Sequence, residues 1–356
     1  MESVAKRRVW QGMIPIELQL SGNDSIELLA SATLPEPFQT FYMLVPRVSY
    51  LPFVTSKIKE QWLDPMLSMS GTRVAAPGTN GGNGATGIRE TEMWFEYKKQ
   101  PLKWHYPVGL LYDMLVSSNS SNDTTELPWA LTLHVRKFPQ PAKVVPNPSV
   151  QSMRDMVMAM IKEADFIRNG STKRVMGLAK SDQMQLLDGI EDHSFEKFFA
   201  IHSTIVTTVS GGNSHHGQGG KQRNGGPKAI PIRFYVASES AQDAADGKEP
   251  STLSAASSSS ASAGAAGSGG DMAQFHISQY PVSPLVKDDS EQKTTLADAF
   301  RVCYEISDQA GDAFVTNCAC LCQGVSVPWE TPVVWMAENF HYADCFLHLV
   351  VVRIAQ

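Results

Sequence analysis

Residues Met13-Ile14-Pro15-Ile16-Glu17-Leu18-Gln19-Leu20 alternate apolar and other side chains with a period of two, the pattern of a strand with one face in a core. The stretch Ala229-Ile230-Pro231-Ile232-Arg233-Phe234-Tyr235-Val236 opens on the same Ile-Pro-Ile. Downstream of each lies a W-x-x-P-V run, Trp104 to Val108 and Trp329 to Val333, and then a strand-like stretch with one histidine, His134 or His348. Tryptophan and histidine are 30 residues apart in the first copy and 19 in the second. The excess of 11 matches a Ser/Asn-rich surface loop at 117–126. A two-copy repeat is the simplest account, with His134 and His348 as equivalents.

Within each copy the order reads strand, strand, helix, strand, strand, short helix, strand. In the first copy, 40–45 reads as a strand and 53–63 has helical spacing. Strands are then expected at 93–97 and 102–105, and Pro107 opens a short helix. In the second copy the strands are expected at 275–280, 314–321 and 325–329, with helices at 295–304 and after Pro332. One helix crossing a small mixed sheet in that order is the β-grasp, or ubiquitin-like, arrangement.

The middle has a different texture. Over 149–169 the positions Val150, Met153, Val157, Met160, Ile161, Ala164 and Ile167 follow a 3.6-residue period, closed by Asn169-Gly170. Further helices are expected over 181–189 and from 194 to about 206. The expected organisation is therefore α+β. An N-terminal ubiquitin-like domain covers 1–145, with an insertion at about 66–91, and a helix-rich domain covers 146–209. A flexible linker spans 210–228, and a second ubiquitin-like domain covers 229–356, with a disordered insertion at about 238–273.

The chain has 356 residues, a net charge of −6 and a pI near 5.9, so it presents no global basic surface for nucleic acid. Three stretches, 70–88, 210–228 and 251–270, hold 17 of the 26 glycines and can bury almost nothing, so disorder is expected there. The strongest apolar run, 345–352, is far short of the roughly 20 residues a membrane span needs. The N-terminus has positive charge but no apolar stretch of a secretory signal. Five cysteines, four of them within 303–322, suit a reducing compartment and not a disulfide framework.

Several motifs fail when weighed. Gly82, Gly84 and Gly87 match G-x-G-x-x-G without the strand and helix that a dinucleotide site needs. Cys318, Cys320 and Cys322 fall on one face of a strand, but neighbours about 7 Å apart cannot share a tetrahedral zinc, so they read as buried cysteines. His215-His216 lies in the glycine-rich connector, and His134 and His348 read as structural. Lys6-Arg7-Arg8 reads as a solvated N-terminus, with contact to anionic membrane as the alternative. No hydrolase elbow, zinc-protease helix or P-loop occurs.

Other segments carry a resemblance. Val9-Trp10-Gln11-Gly12-Met13-Ile14-Pro15, Leu44-Val45-Pro46-Arg47-Val48-Ser49-Tyr50-Leu51, Trp94-Phe95-Glu96-Tyr97, Pro101-Leu102-Lys103-Trp104-His105-Tyr106-Pro107 and Lys162-Glu163-Ala164-Asp165 resemble the autophagy protein 5 family. The resemblance implies two ubiquitin-like domains around a helix-rich one. It implies a non-catalytic scaffold without cofactor or metal. One lysine accepts the ubiquitin-like modifier autophagy protein 12 from an E2-like enzyme, and a groove takes the N-terminal helix of the coiled-coil autophagy protein 16. The complex would act like an E3, promoting transfer of autophagy protein 8 to phosphatidylethanolamine. The protein would be cytoplasmic and recruited peripherally to preautophagosomal membranes. The family's lysine falls on Lys162.

The helical spacing places Lys162 about 140° from Val157, on the face opposite the apolar stripe, where its ammonium is expected to be exposed. A free lysine titrates near 10.4, so only about one in a few thousand is neutral at pH 7. Glu163 and Asp165 are close enough in sequence to hold the charged form, so activation is expected to come from the conjugating enzyme. The chain ends Val352-Arg353-Ile354-Ala355-Gln356 without a Gly-Gly tail, which suits an acceptor and not a modifier. The alternatives are a non-conjugated ubiquitin-like adaptor and a cysteine-dependent transferase using Cys318, Cys320 or Cys322, which would need a reactive low-pKa thiol.

Overall fold

The computed structural model of the chain describes residues 4–29, 36–69, 88–117, 126–135, 138, 148–206, 226–237, 275–286, 292–306 and 314–354. The chain forms two compact units. One comprises Gly12–Leu111 and Asn122–Asp155; the other comprises Met1–Gln11, Tyr112–Ser121 and Met156–Gln356. The glycine-rich stretches expected to be disordered lie almost wholly outside the described residues, as do Gly82, Gly84, Gly87 and His215-His216.

In the first unit, β1 (Met13–Leu20), β2 (Thr40–Pro46), β3 (Trp94–Tyr97), β4 (Gln100–Pro101) and β5 (Trp129–His134) form a sheet in the order β2-β1-β5-β3-β4. Its central pair, β1 and β5, is parallel and the other pairs are antiparallel. Alternation in β1 buries Ile14, Ile16 and Leu18. A helical run of Thr55–Ile58, Lys59–Leu63 and Asp64–Met69 adds Ile58, Trp62, Leu63, Met66 and Leu67 to the core. Met66, Leu67 and Ile88 are all buried, so both ends of the stretch 66–91, read as an insertion, belong to the packed fold.

The strand expected at 102–105 is displaced. Lys98 and Lys99 adopt positive φ, 46° and 65°, in a two-residue turn that brings Gln100 opposite Tyr97. The return strand therefore occupies Gln100–Pro101, and Leu102 closes it by donating to the Phe95 carbonyl at 2.8 Å.

The second unit begins with helix α1 (Val4–Trp10) and continues through most of α2 (Val150–Asn169), then α3 (Lys180–Glu191) and α4 (Phe195–Ile205). Gly170, at φ +70°, stops α2 where an L side chain would be strained. Ser194 caps α4 by accepting from the Lys197 amide. At Gly189 a Cβ would sit 2.6 Å from the Phe198 nitrogen, so only glycine lets α3 and α4 approach this closely.

Helix α1 packs on α4 through an aromatic cluster. Trp10 is 3% exposed, stacks on Phe198 with centroids 4.7 Å apart, and meets Phe199 edge-on at 5.3 Å. Lys6 and Arg7 lie over the rings of Phe199 and Phe195 at 5.3 and 4.2 Å, and Arg7 pairs with Glu196 at 2.8 Å. Lys6 and Arg7 are thus part of a packed face, correcting their reading as a merely solvated N-terminus, while Arg8 is exposed as expected. The apolar stems of Lys6 and Arg7 cover the aromatic rings while their charged heads keep access to water.

The second copy contributes β6 (Ile230–Ala237), β7 (Phe275–Val282), α5 (Leu296–Tyr304), β8 (Cys318–Cys322), β9 (Val325–Val327), α6 (Val333–Asn339) and β10 (Leu347–Arg353). Its sheet runs β7-β6-β10-β8-β9, the same permutation as the first, again around a parallel central pair. The fold class is therefore the expected one: α+β, with two ubiquitin-like sheets and a helical region. Residues 314–316 are helical, so the strand expected from 314 starts at Cys318. Pro328, which has no amide hydrogen, follows the end of β9.

Register corrects one equivalence. Ile16 pairs with Trp129 in the first sheet, and its counterpart Ile232 pairs with Leu347 in the second. His348 therefore corresponds to Ala130, and His134 to Val352: the two histidines are four positions out of step.

Candidate functional site

Lys162 lies on α2 in the second unit, and it is half-buried, not fully exposed as the helical wheel implies. The stripe Val157, Ile161, Ala164 is buried, while Ala159, Glu163 and Phe166 are exposed, Phe166 by 58%. Lys162 therefore sits at a boundary, its neighbours on the solvent side open. Among the described residues it makes no hydrogen bond or ion pair.

Both carboxylates near it in sequence are engaged elsewhere. Glu163 accepts from Arg233 Nη2 at 3.2 Å and from Gln279 Nε2 at 2.7 Å. Asp165, buried, accepts from Asn169 Nδ2 at 2.7 Å and from the Val175 amide at 3.3 Å. Neither carboxylate is hydrogen-bonded to Lys162.

The end of α2 is fixed on its buried side. Arg168 donates to the Cys345 carbonyl at 3.4 Å, and its own carbonyl accepts from the Lys228 amide at 2.7 Å. Lys228, read as the end of the flexible linker, is thereby tied to the helix, and Pro227 beside it is buried.

The cysteines of β8 point the other way from nucleophilic chemistry. Cys318, Cys320 and Cys322 are at most 3% exposed. Burial pushes the Cys318 thiol up to about 11 and raises Cys320 further. A nucleophilic cysteine needs its pKa lowered by a polar, cationic setting. Among the described residues no group of three His, Cys, Asp or Glu is placed to hold a metal ion.

His348 looks superficially like part of a relay, meeting Tyr235 Oη at 2.9 Å through Nδ1 and Asp344 Oδ2 at 2.8 Å through Nε2. Burial alone would raise the Asp344 carboxyl, but His348 beside it holds it below the ordinary carboxylate range. Histidine and aspartate are 1% and 0% exposed, so no substrate reaches them and the trio is structural. His134 stacks on Trp94 with centroids 3.7 Å apart, likewise inside its sheet's packing.

The described residues of the second unit also form a cleft of about 530 Å³. Lys6 and Arg7 of α1, Phe195, Phe199, Ala200 and His202 of α4, and Ala337 and His341 at or near α6 line it. Its lining mixes apolar side chains with charges of both signs, Glu196 pairing with Arg7 and Glu338 adding a second carboxylate. Neither cleft nor Glu163 contacts stand out in the sequence, since both join segments far apart along the chain. The one available signal is Arg233, a lone charge inside the apolar run Ile230–Ala237. Among the described residues no helix is long and apolar enough to cross a membrane.

Comparison with known proteins accounts for this architecture. The family profile "Autophagy protein ATG5, UblA domain" matches residues 9–135, the "alpha-helical bundle region" profile 150–208 and the "UblB domain" profile 229–351. Autophagy protein 5 of Oryza sativa subsp. indica is 27% identical, the match covering 98% of this chain and 93% of the relative. Autophagy protein 5 of Drosophila melanogaster is 26% identical, covering 97% and 95% respectively. The crystal structure of Kluyveromyces marxianus Atg5 superposes with a TM-score of 0.61 at 20% identity, over 97% of this chain and 98% of that one, which shows the common fold. With two sheets of one topology, a helical region between them in sequence, and profiles over all three parts, this chain belongs to the autophagy protein 5 family, whose role is in autophagy.

Proposed function

We propose that this chain is the non-catalytic acceptor of the ubiquitin-like modifier autophagy protein 12, and that Lys162 is the attachment residue. The observation carrying this is that Lys162 stands half-buried on α2 beside exposed neighbours, unpaired among the described residues, while Glu163 and Asp165 are bound elsewhere. In the reaction the lysine Nζ, having lost a proton, adds to the carbonyl carbon of the modifier's C-terminal thioester on an E2-like enzyme. The C–N isopeptide bond forms as the C–S bond breaks, and the enzyme's cysteine leaves as thiolate. One proton leaves the ammonium before attack and a second leaves the nitrogen as the amide forms, and both go to solvent or to the conjugating enzyme. This chain supplies placement; the carboxyl activation resides in the thioester.

The cleft between α1, α4 and α6 suits the N-terminal amphipathic helix of autophagy protein 16, its lining combining apolar side chains with charges of both signs. The assembled complex would then act like an E3 toward autophagy protein 8 and phosphatidylethanolamine, recruited peripherally from the cytoplasm to preautophagosomal membranes. The alternative of a non-conjugated adaptor keeps the cleft and discards the lysine.

Co-expression with the modifier and its E1-like and E2-like enzymes tests the first part. A heavier band that resists reducing agent and disappears in Lys162→Arg is expected; no band with active enzymes leaves the adaptor reading. For the cleft, Ala200→Glu places a charge on an exposed helix position inside it. Loss of binding to a peptide of the partner's N-terminal helix, with the conjugate band intact, is the expected result.

A further inference from the structure

Arg233, Gln279 and Glu163 close a ring of hydrogen bonds. Arg233 Nε donates to Gln279 Oε1 at 2.7 Å, Gln279 Nε2 donates to Glu163 Oε1 at 2.7 Å, and Arg233 Nη2 donates to Glu163 Oε2 at 3.2 Å. Arg233 and Gln279 are directly opposed on β6 and β7, so the sheet sets their separation. The guanidinium is itself fixed, lying 3.9 Å over the Phe346 ring centroid. Both ends of the Gln279 amide are used, so its orientation is determined by the ring.

Glu163 is the residue after Lys162, and it lies about 100° further round α2. The buried contacts of Asp165 and Arg168 set how deeply this turn sits. The ring acts at the exposed flank, where a lateral tie resists rotation of the helix about its own axis. The Glu163 side chain is 44% exposed, and an ion pair in such a setting contributes little to stability. Holding a charged side chain in one geometry at the surface is therefore poorly explained as a stabilising device.

We propose that Arg233 and Gln279 are positioning residues for acceptor chemistry, holding α2 through Glu163 so that the Lys162 amine is presented at one fixed angle to an incoming thioester. This rests on the reading of Lys162 as the acceptor. Transfer between two macromolecules is sensitive to such placement, because the amine must approach the carbonyl carbon along a narrow path.

The test is single-turnover transfer from modifier-charged conjugating enzyme to the full chain, followed against enzyme concentration. Glu163→Arg, Gln279→Ala and the exchange of Glu163→Arg with Arg233→Glu are compared, with Lys162→Arg as control. Glu163→Arg is expected to lower the maximal rate constant roughly tenfold and Gln279→Ala roughly threefold, with half-saturation and thermal midpoint unchanged. The exchange rebuilds the ring with reversed charges, Gln279 turning its amide over, and is expected to recover most of the loss. A wild-type rate in both single variants overturns the proposal. So does an exchange no faster than Glu163→Arg, or a defect confined to half-saturation, which would place Glu163 against the conjugating enzyme. If the exchange lowers the thermal midpoint, Gln279→Ala, at an exposed edge-strand position, decides alone. Product that survives Lys162→Arg overturns the acceptor reading instead, so the two failures are distinct.

Discussion

His202 and His341 lie ring on ring, with centroids 4.4 Å apart and planes 12° from parallel, and they are 3% and 6% exposed. His341 Nδ1 meets the Tyr342 carbonyl at 2.9 Å, while the Nε2 atoms of both rings have no hydrogen-bond partner among the described residues. Burial, ahead of the nearby Arg168 and Lys6 charges, pulls His341 down to about 4; burial and His341 lower His202. The unfolded chain takes up these protons near 6.5 while the folded one resists, so stability falls as pH drops from about 7 toward 4. His341→Phe keeps an aromatic ring in the stack and removes one titration. Between about pH 7.5 and about pH 5 the wild type is expected to lose roughly 2 kcal/mol more than this variant. Urea midpoints at the two pH values check this; equal losses would contradict the buried neutral pair.

Helix α5 shows how closely an element can be read from sequence. Thr295 accepts from the Asp298 amide at 3.2 Å, and the Thr295 amide donates back to Asp298 Oδ2 at 2.9 Å, the reciprocal box that a threonine three residues before an acidic side chain announces. Thr295→Ala is expected to destabilise by about 1 kcal/mol, measured by urea denaturation, with no effect on conjugation. Other elements were less legible. The turn at Lys98-Lys99 has no Gly, Asn or Asp to advertise positive φ, so the return strand is misplaced by two residues when read from hydrophobicity. The basic run of α1 reads as solvent-facing because its partners Phe195 and Phe199 lie far away in sequence, on α4.

For the molecule as a whole, the repeated Ile-Pro-Ile strand carried the fold, because a central strand imposes its alternation whatever its loops do. The histidine equivalence misled for the same reason inverted: one histidine per final strand satisfies a pattern but not a register, and only pairing with β1 and β6 reveals the offset of four. The site was half legible. Lys162 became the candidate acceptor through a resemblance, and helical periodicity overstated its exposure, whereas the cleft and the Arg233–Gln279–Glu163 ring depend on contacts that no local pattern encodes. The thiol line of chemistry loses its footing once β8 places its cysteines in the core, where burial raises their pKa.

The acceptor role of Lys162 is the central claim, and site mapping tests it most directly. The conjugate formed with charged modifier and its enzymes is digested, and the branched peptide carrying the modifier's C-terminal remnant is located by tandem mass spectrometry. The remnant is expected on the ε-amine of Lys162, with other lysines unmodified. A remnant found only on a different lysine, in protein whose Lys162 peptide is recovered unmodified, would contradict it.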